Sequence, residues 1–231
     1  ITIKSNRSNA MDKYLYVSMT GASQNLTAMA LRANNLANAN TAGFKADLEQ
    51  ARAMPAFGEG LPSRVFAMTE SPSQKFDAGS VISTGRDLDA VIDGDGWFAV
   101  LDAEGNEAYT RAGSFNFTQE GQLVDAENRP IVGSIGSISL PVPVSKVVVG
   151  NDGEISVRLN GAPANQLVPI DRLKVVNPDI RQMYKGSDGL FRMKDGSQPD
   201  AEFNVSLKTG FVEGSNVIAT EEMVSMINLQ R

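Results

Sequence analysis

Four acids close together in the chain, Asp87, Asp89, Asp93 and Asp95, come nearest in type and spacing to a chemical site. Asp87 and Asp89 have an offset that could bring two carboxylates together for acid–base work. Alternating solvent-facing acids on a strand explain the pair with less. Asp93-Gly94-Asp95-Gly96 invites comparison with a calcium loop, which needs ligands at alternate positions and a bidentate acid further on. Trp97-Phe98 follows instead, so the spacing fails, and a turn feeding a strand is the better reading. Trp97, Phe98, Tyr109, Phe115 and Phe117 could stack against a sugar or a base. No convergent polar set accompanies them, and aromatics among strands more often form core.

Other chemistry is limited by composition. The chain has no Cys and no His, which removes the thiolate nucleophile, Cys-ligated zinc, the usual near-neutral acid–base group and the commonest transition-metal ligand. No enzyme activity, cofactor or metal is expected. A net charge of -6 argues against binding a phosphate backbone, so nucleic acid is not an expected partner. No apolar run approaches the roughly 18 residues of a membrane span, so no membrane insertion is expected.

The elements that would carry these residues fall into three regions. Leu15, Met19, Ala22, Leu26, Met29, Ala33 and Leu36 follow one another at alternating steps of four and three, a coiled-coil seam. Between Asp12 and Asn40 the only charged residues are Asp12, Lys13 and Arg32, whereas a helix face turned to water usually carries many. With Leu36 at d, Asn34, Asn35 and Asn38 fall at b, c and f, a neutral hydrogen-bonding strip suited to contact with other protein. Asn and Thr form helices weakly, so this segment is expected to order fully only in an assembly. It should stop near Asn40-Thr41-Ala42-Gly43, with Gly43 left-handed and Phe44 anchoring the exit.

Residues 46–63 read as a linker whose Gly- and Pro-rich part, 55–63, is a loop. From 64 to 212 short apolar runs predict a β domain of antiparallel strands: 91–92, 97–100, 109–111, 114–117, 146–149, 155–157 and 173–176. Asp95-Gly96, Glu104-Gly105, Glu120-Gly121, Asp152-Gly153, Asn160-Gly161, Asp188-Gly189 and Asp195-Gly196 supply the turns. Helical periodicity returns over 213–231, with Ser215 or Asn216 as cap candidates, Glu221 and Glu222 in an early turn, and Met223, Val224, Met226 and Ile227 on an apolar side. The sequence reaches Arg231 without a stop signal, which reads as a helix cut in mid-course. Residues 1–10, ending Ser8-Asn9-Ala10 before Met11, read as an expression remnant. After Met11 no secretory signal pattern appears, so another exporter is expected if the protein leaves the cytoplasm. The fold class is thus mainly β, a central domain flanked by two helical arms.

Specific strings add to this. Leu31-Arg32-Ala33-Asn34-Asn35-Leu36-Ala37-Asn38-Ala39-Asn40-Thr41-Ala42-Gly43-Phe44-Lys45 closely resembles the N-terminal signature of the flagellar rod and hook proteins. So do the strings over 87–98 and 109–115, and Gly214-Ser215-Asn216-Val217 leading to 222–227. The resemblance spans Met11 to Arg231. The start at Met11-Asp12, the compact β region and Glu213-Gly214-Ser215-Asn216 look more like proximal-rod than distal-rod members.

The resemblance implies a subunit exported unfolded by the flagellar type III apparatus and assembled in the periplasm into the tube that transmits motor torque. In that family the terminal helices pair as a coiled coil in an inner tube, with the β domain outside. Implied partners are further copies, other proximal and distal rod proteins, and the rod-scaffolding protein. On this reading Leu15, Met19, Leu26, Met29 and Leu36 pack against Val217, Met223, Val224 and Ile227, while the Asn-rich face touches adjacent subunits. Another flagellar axial protein, of the distal rod, is the first alternative; a secreted β adhesin or glycan-binding module and a carboxylate-dependent hydrolase are the others.

Overall fold

A computed structural model describes residues 6–48, 51–55, 65–69, 73–163, 166–202 and 205–230. The chain divides into two compact units, one of Ile1–Ala39, Lys45–Lys75 and Val217–Arg231, the other of Asn40–Phe44 and Phe76–Asn216. The loop expected over 55–63 lies outside the described residues except at Pro55.

The first unit holds helix α1 (Asn6–Ala37), strands β1 (Asp47–Leu48), β2 (Ala51–Pro55), β3 (Val65–Thr69) and β4 (Ser73–Gln74), and helix α2 (Ala219–Leu229). β1 pairs antiparallel with β4, and β2 with β3. The stretch expected as a linker therefore contains two strands. α1 packs beside α2 and β3. It ends at Ala37, short of the expected stop, where the Asn38 backbone N–H is shared between the carbonyls of Asn34 and Asn35 and the Asn38 side-chain amide donates to the Asn34 carbonyl at 3.0 Å. Those bonds close the last turn locally.

The second unit contains β5 (Val81–Ser83), β6 (Ala90–Asp93), β7 (Trp97–Leu101), β8 (Glu107–Thr110), β9 (Phe115–Phe117), β10 (Leu123–Asp125), β11 (Val144–Val149), β12 (Glu154–Leu159), β13 (Val168–Arg172), β14 (Val175–Val176), β15 (Met183–Lys185), β16 (Phe191–Met193), β17 (Ser206–Thr209) and β18 (Phe211–Glu213). Every strand pairing among the described residues is antiparallel. The sheets are β14-β7-β8-β16-β15, β11-β12-β13, and the two-stranded pairs β9-β10, β6-β17 and β5-β18. The glycines of all seven expected turn pairs have positive φ.

β7 explains the apolar run Trp97-Phe98-Ala99-Val100. Phe98 and Val100 enter the main core with Phe115, Leu123, Ile131 and Ile155, while Trp97 and Ala99 face a second cluster with Tyr109, Val176 and Phe191. A strand buried on both faces carries no polar alternation. The aromatics serve packing: Phe98 meets Phe115 edge-on at 5.2 Å and Trp97 meets Phe191 at 4.6 Å, leaving Phe117 partly exposed.

Candidate assembly interface

Helix α1 is sided, and not in the way its apolar spacing suggests. Its inward stripe is Gln24, Ala28, Leu31 and Asn35, with Ala28 and Asn35 fully buried. At 3.6 residues per turn this stripe lies about half a turn from the heptad seam. Leu15 (66% exposed), Met19, Ala22, Leu26 (68% exposed) and Ala33 are exposed, and Met29 and Leu36 are half-buried. α2 repeats the pattern. Glu222 is its buried residue, Met223, Val224 (58% exposed) and Ile227 are exposed, and Val217, just before the helix, is half-buried.

Polar bonds join the inward faces. Asn35 uses its whole amide on the backbone at β1: Nδ2 donates to the Asp47 carbonyl at 2.9 Å and Oδ1 accepts from the Asp47 N–H at 3.0 Å. The same Nδ2 reaches Glu222 Oε1 at 3.4 Å, and Arg32 Nη1 donates to both Glu222 oxygens at 3.2 and 3.1 Å. A buried amide satisfied on both ends by one extended residue sets position strictly, because a shift breaks both bonds at once. Asn35 is thus turned into its own unit, while Asn34 is exposed and Asn38 half-buried.

In the second unit, residues 40–44 are held against 213–216. The Gly43 N–H donates to the Glu213 carbonyl at 2.7 Å, and the Asn216 N–H to the Phe44 carbonyl at 3.3 Å. Gly43 has φ +70°, and a Cβ there would collide with the backbone of Arg111 and Ala112, so no other residue fits without movement. Lys185 Nζ lies 4.0 Å above the Phe44 ring. Beneath them Glu213 is buried, pairing with Arg111 Nη1 at 3.4 Å and accepting from the Gly79 N–H at 3.0 Å. Arg111 also donates to the Gly94 carbonyl at 2.9 Å and stacks on Trp97, and its burial lowers its affinity for a proton. Asn216 does not cap α2. Its Nδ2 donates to the Asp77 carbonyl, and the cap position is Ile218, which makes no side-chain bond.

Three family models match the chain: Flagella basal body rod protein over residues 15–45, Flagellar hook protein FlgE/F/G D1 domain over 91–157, and Flagellar basal body rod FlgEFG protein C-terminal over 208–231. The FlgF basal-body rod protein of Escherichia coli is 38% identical over 223 residues, 94% of this chain and 88% of that protein. That of Salmonella typhimurium is 36% identical with the same coverage. A FlgG rod protein of Buchnera aphidicola is 31% identical over 239 residues, 94% of this chain and 90% of its own. The chain belongs to the flagellar basal-body rod protein family. Within it the resemblance is strongest to FlgF, and the chain is a structural subunit of the basal-body rod.

In this rod protein the signature strings have structural work to do. Arg32 and Asn35 tie the helices and β1 together, Gly43 and Phe44 meet Glu213 and Asn216, and Arg111 joins Glu213 to Trp97. Sequence reasoning missed Glu222, Glu213 and Arg111 as a set, since nothing in their spacing links them. The one legible sign was that Arg32 is the single charge between Tyr14 and Ala37, a long neutral stretch of helix, which calls for a buried partner. Asp89 corrects the reading of solvent-facing acids: it is 1% exposed, accepts from Ser114 Oγ at 3.1 Å and lies 3.5 Å from Arg86, while exposed Asp87 pairs with Lys146. The two point into different surroundings because the chain turns between them.

Proposed function

We propose that this chain is a proximal-rod subunit that polymerises with copies of itself and with other proximal and distal rod proteins into the axial tube that carries motor torque. It does so in the periplasm, after export by the flagellar type III apparatus and with help from the rod-scaffolding protein. The reading is supported by the likeness to FlgF and by one observation above the rest: Leu15, Met19 and Leu26 of α1 and Met223, Val224 and Ile227 of α2 are exposed. Burying each such side chain contributes about 1.5–3 kcal/mol relative to leaving it in water. A helix with this face is incomplete until other protein covers it. The coiled-coil pairing of the arms belongs to this assembled state.

The test is the double substitution Leu26→Asp with Met29→Asp. It should abolish incorporation into basal bodies and motility, while the second unit keeps its near-ultraviolet signature of packed Trp97 and Tyr109. Normal motility of that variant would defeat the proposal.

A further inference from the structure

We infer that Asn160 is a site of spontaneous covalent modification: in the folded chain the backbone nitrogen of Gly161 attacks its side-chain amide and converts it, through a cyclic imide, to aspartate and isoaspartate. The inference is independent of the rod reading. Asn160-Gly161 is the one place in the sequence where Gly follows Asn. Elsewhere the residue after Asn carries a side chain that crowds the nitrogen which would have to attack, whereas Gly161 leaves it bare.

The fold leaves both reacting groups open. Asn160 and Gly161 lie exposed in the connection from β12 to β13, and a Cβ added at Gly161 would meet nothing within 4 Å. The backbone of this turn is held by its neighbours: the Ala162 N–H donates to the Leu159 carbonyl at 3.1 Å and the Asn160 N–H to the Pro143 carbonyl at 3.2 Å. Neither the Asn160 side-chain amide nor the Gly161 N–H has a hydrogen-bond partner among the described residues.

Three Asp-Gly turns of the same unit show what protection looks like. Asp152 accepts from the Glu154 N–H at 3.2 Å, Asp188 from the Leu190 N–H at 3.2 Å and Asp195 from the Ser197 N–H at 3.0 Å. Each bond turns the side chain onto the amide two residues ahead and away from the glycine nitrogen between. These carboxyls are also held below the usual carboxylate range, by the Glu154 N–H at Asp152, chiefly by Arg192 at Asp188 and by the Ser197 N–H at Asp195. An ionised carboxylate resists attack by nitrogen. In the Asn160 turn the corresponding amide, Ala162, is taken by a backbone carbonyl, and the side chain at risk is a neutral amide.

The chemistry needs only water. As the Gly161 nitrogen gives up its proton to base, it bonds to Asn160 Cγ; the bond from Cγ to the side-chain nitrogen breaks, that nitrogen takes a proton, and ammonia leaves. Water then opens the five-membered imide at either carbonyl, giving aspartate or isoaspartate at position 160. Both products make the chain's net charge of -6 one unit more negative, and isoaspartate adds a methylene to the backbone of the turn.

The test incubates the purified full chain, folded, at mildly alkaline pH in water enriched in oxygen-18, followed by peptide mapping. The peptide holding Asn160 should gain the mass of an amide-to-acid conversion with the label, and should become a substrate for isoaspartyl-specific methyl transfer. Conversion there should run at least about tenfold ahead of every other Asn, and Gly161→Ala should slow it by a similar factor, since a Cβ crowds the attacking nitrogen. Asn160→Gln keeps the amide and lengthens its reach past the five-membered ring; it should remove the product without changing the thermal melt. Conversion at 160 no faster than at Asn106 or Asn128, conversion only in denaturant, aspartate without isoaspartate, or a Gly161→Ala variant that reacts as fast would each overturn the inference.

Discussion

Asn35 shows how much one neutral side chain can specify. It is completely buried, and its amide bonds both the carbonyl and the N–H of Asp47. Replacing Asn35 by Ala should cost about 0.5–1.5 kcal/mol for each hydrogen bond lost, read as a fall in melting temperature together with faster hydrogen exchange at the Asp47 amide. Asn35→Asp should be worse, because it removes the donor and sets a second carboxylate beside Glu222. The Arg111–Glu213 pair follows a related logic with charge. Both side chains are buried, and Arg111 Nε has no hydrogen-bond partner. Glu213→Gln should therefore destabilise by about 3–5 kcal/mol, as expected when a buried cation loses its counter-charge, and adding Arg111→Met should recover part of the loss in a thermal-melt double-mutant cycle.

Among the elements, β16 is tied to its neighbours by one guanidinium. Arg192 Nη2 binds Asp102, just after β7, at 2.8 Å and Asp188, in the β15–β16 turn, at 2.7 Å. Its hydrogen bonds hold both carboxyls below the usual carboxylate range, and the two carboxylates in turn raise Arg192's own affinity for its proton. Since the folded values are depressed, the stabilisation is full above the unfolded carboxyl value of about 3.9 and disappears as pH falls through the lower folded values. Arg192→Leu should lower the melting temperature at neutral pH and flatten its decline below about pH 4. A slope unchanged by the substitution would show that other acids set the acid limit. On α1, by contrast, Arg32 and Asn35 bond Glu222 from the inward side, while Leu15, Met19 and Leu26 are exposed.

For the whole molecule, this difference predicts uneven stability. The second unit has a continuous core with β7 sealed on both faces, whereas α1 is rich in Asn and Thr and exposes its apolar seam. In the isolated chain, amides over residues 12–40 should exchange quickly while those of β7 and β8 stay protected, and assembly into rods should slow the first set. Equal protection of both in the free chain would contradict a helix that awaits its neighbours. What the sequence determined by itself was whatever local chemistry enforces: strands where β-branched and aromatic residues cluster, turns where Gly follows Asp, Glu or Asn, and a helix with a strict seam. It also held the family signature in contiguous strings. The direction in which that seam points was decided only by tertiary structure. A heptad says that a face wants burial and not by whom, and here the inward place was taken by Asn35 and Arg32, whose partners Asp47 and Glu222 are 12 and 190 residues away. Polar groups that must be satisfied inside the molecule outrank apolar ones that can be covered from outside, because an unpaired buried amide or charge has no later remedy while an exposed leucine can still be covered by another chain.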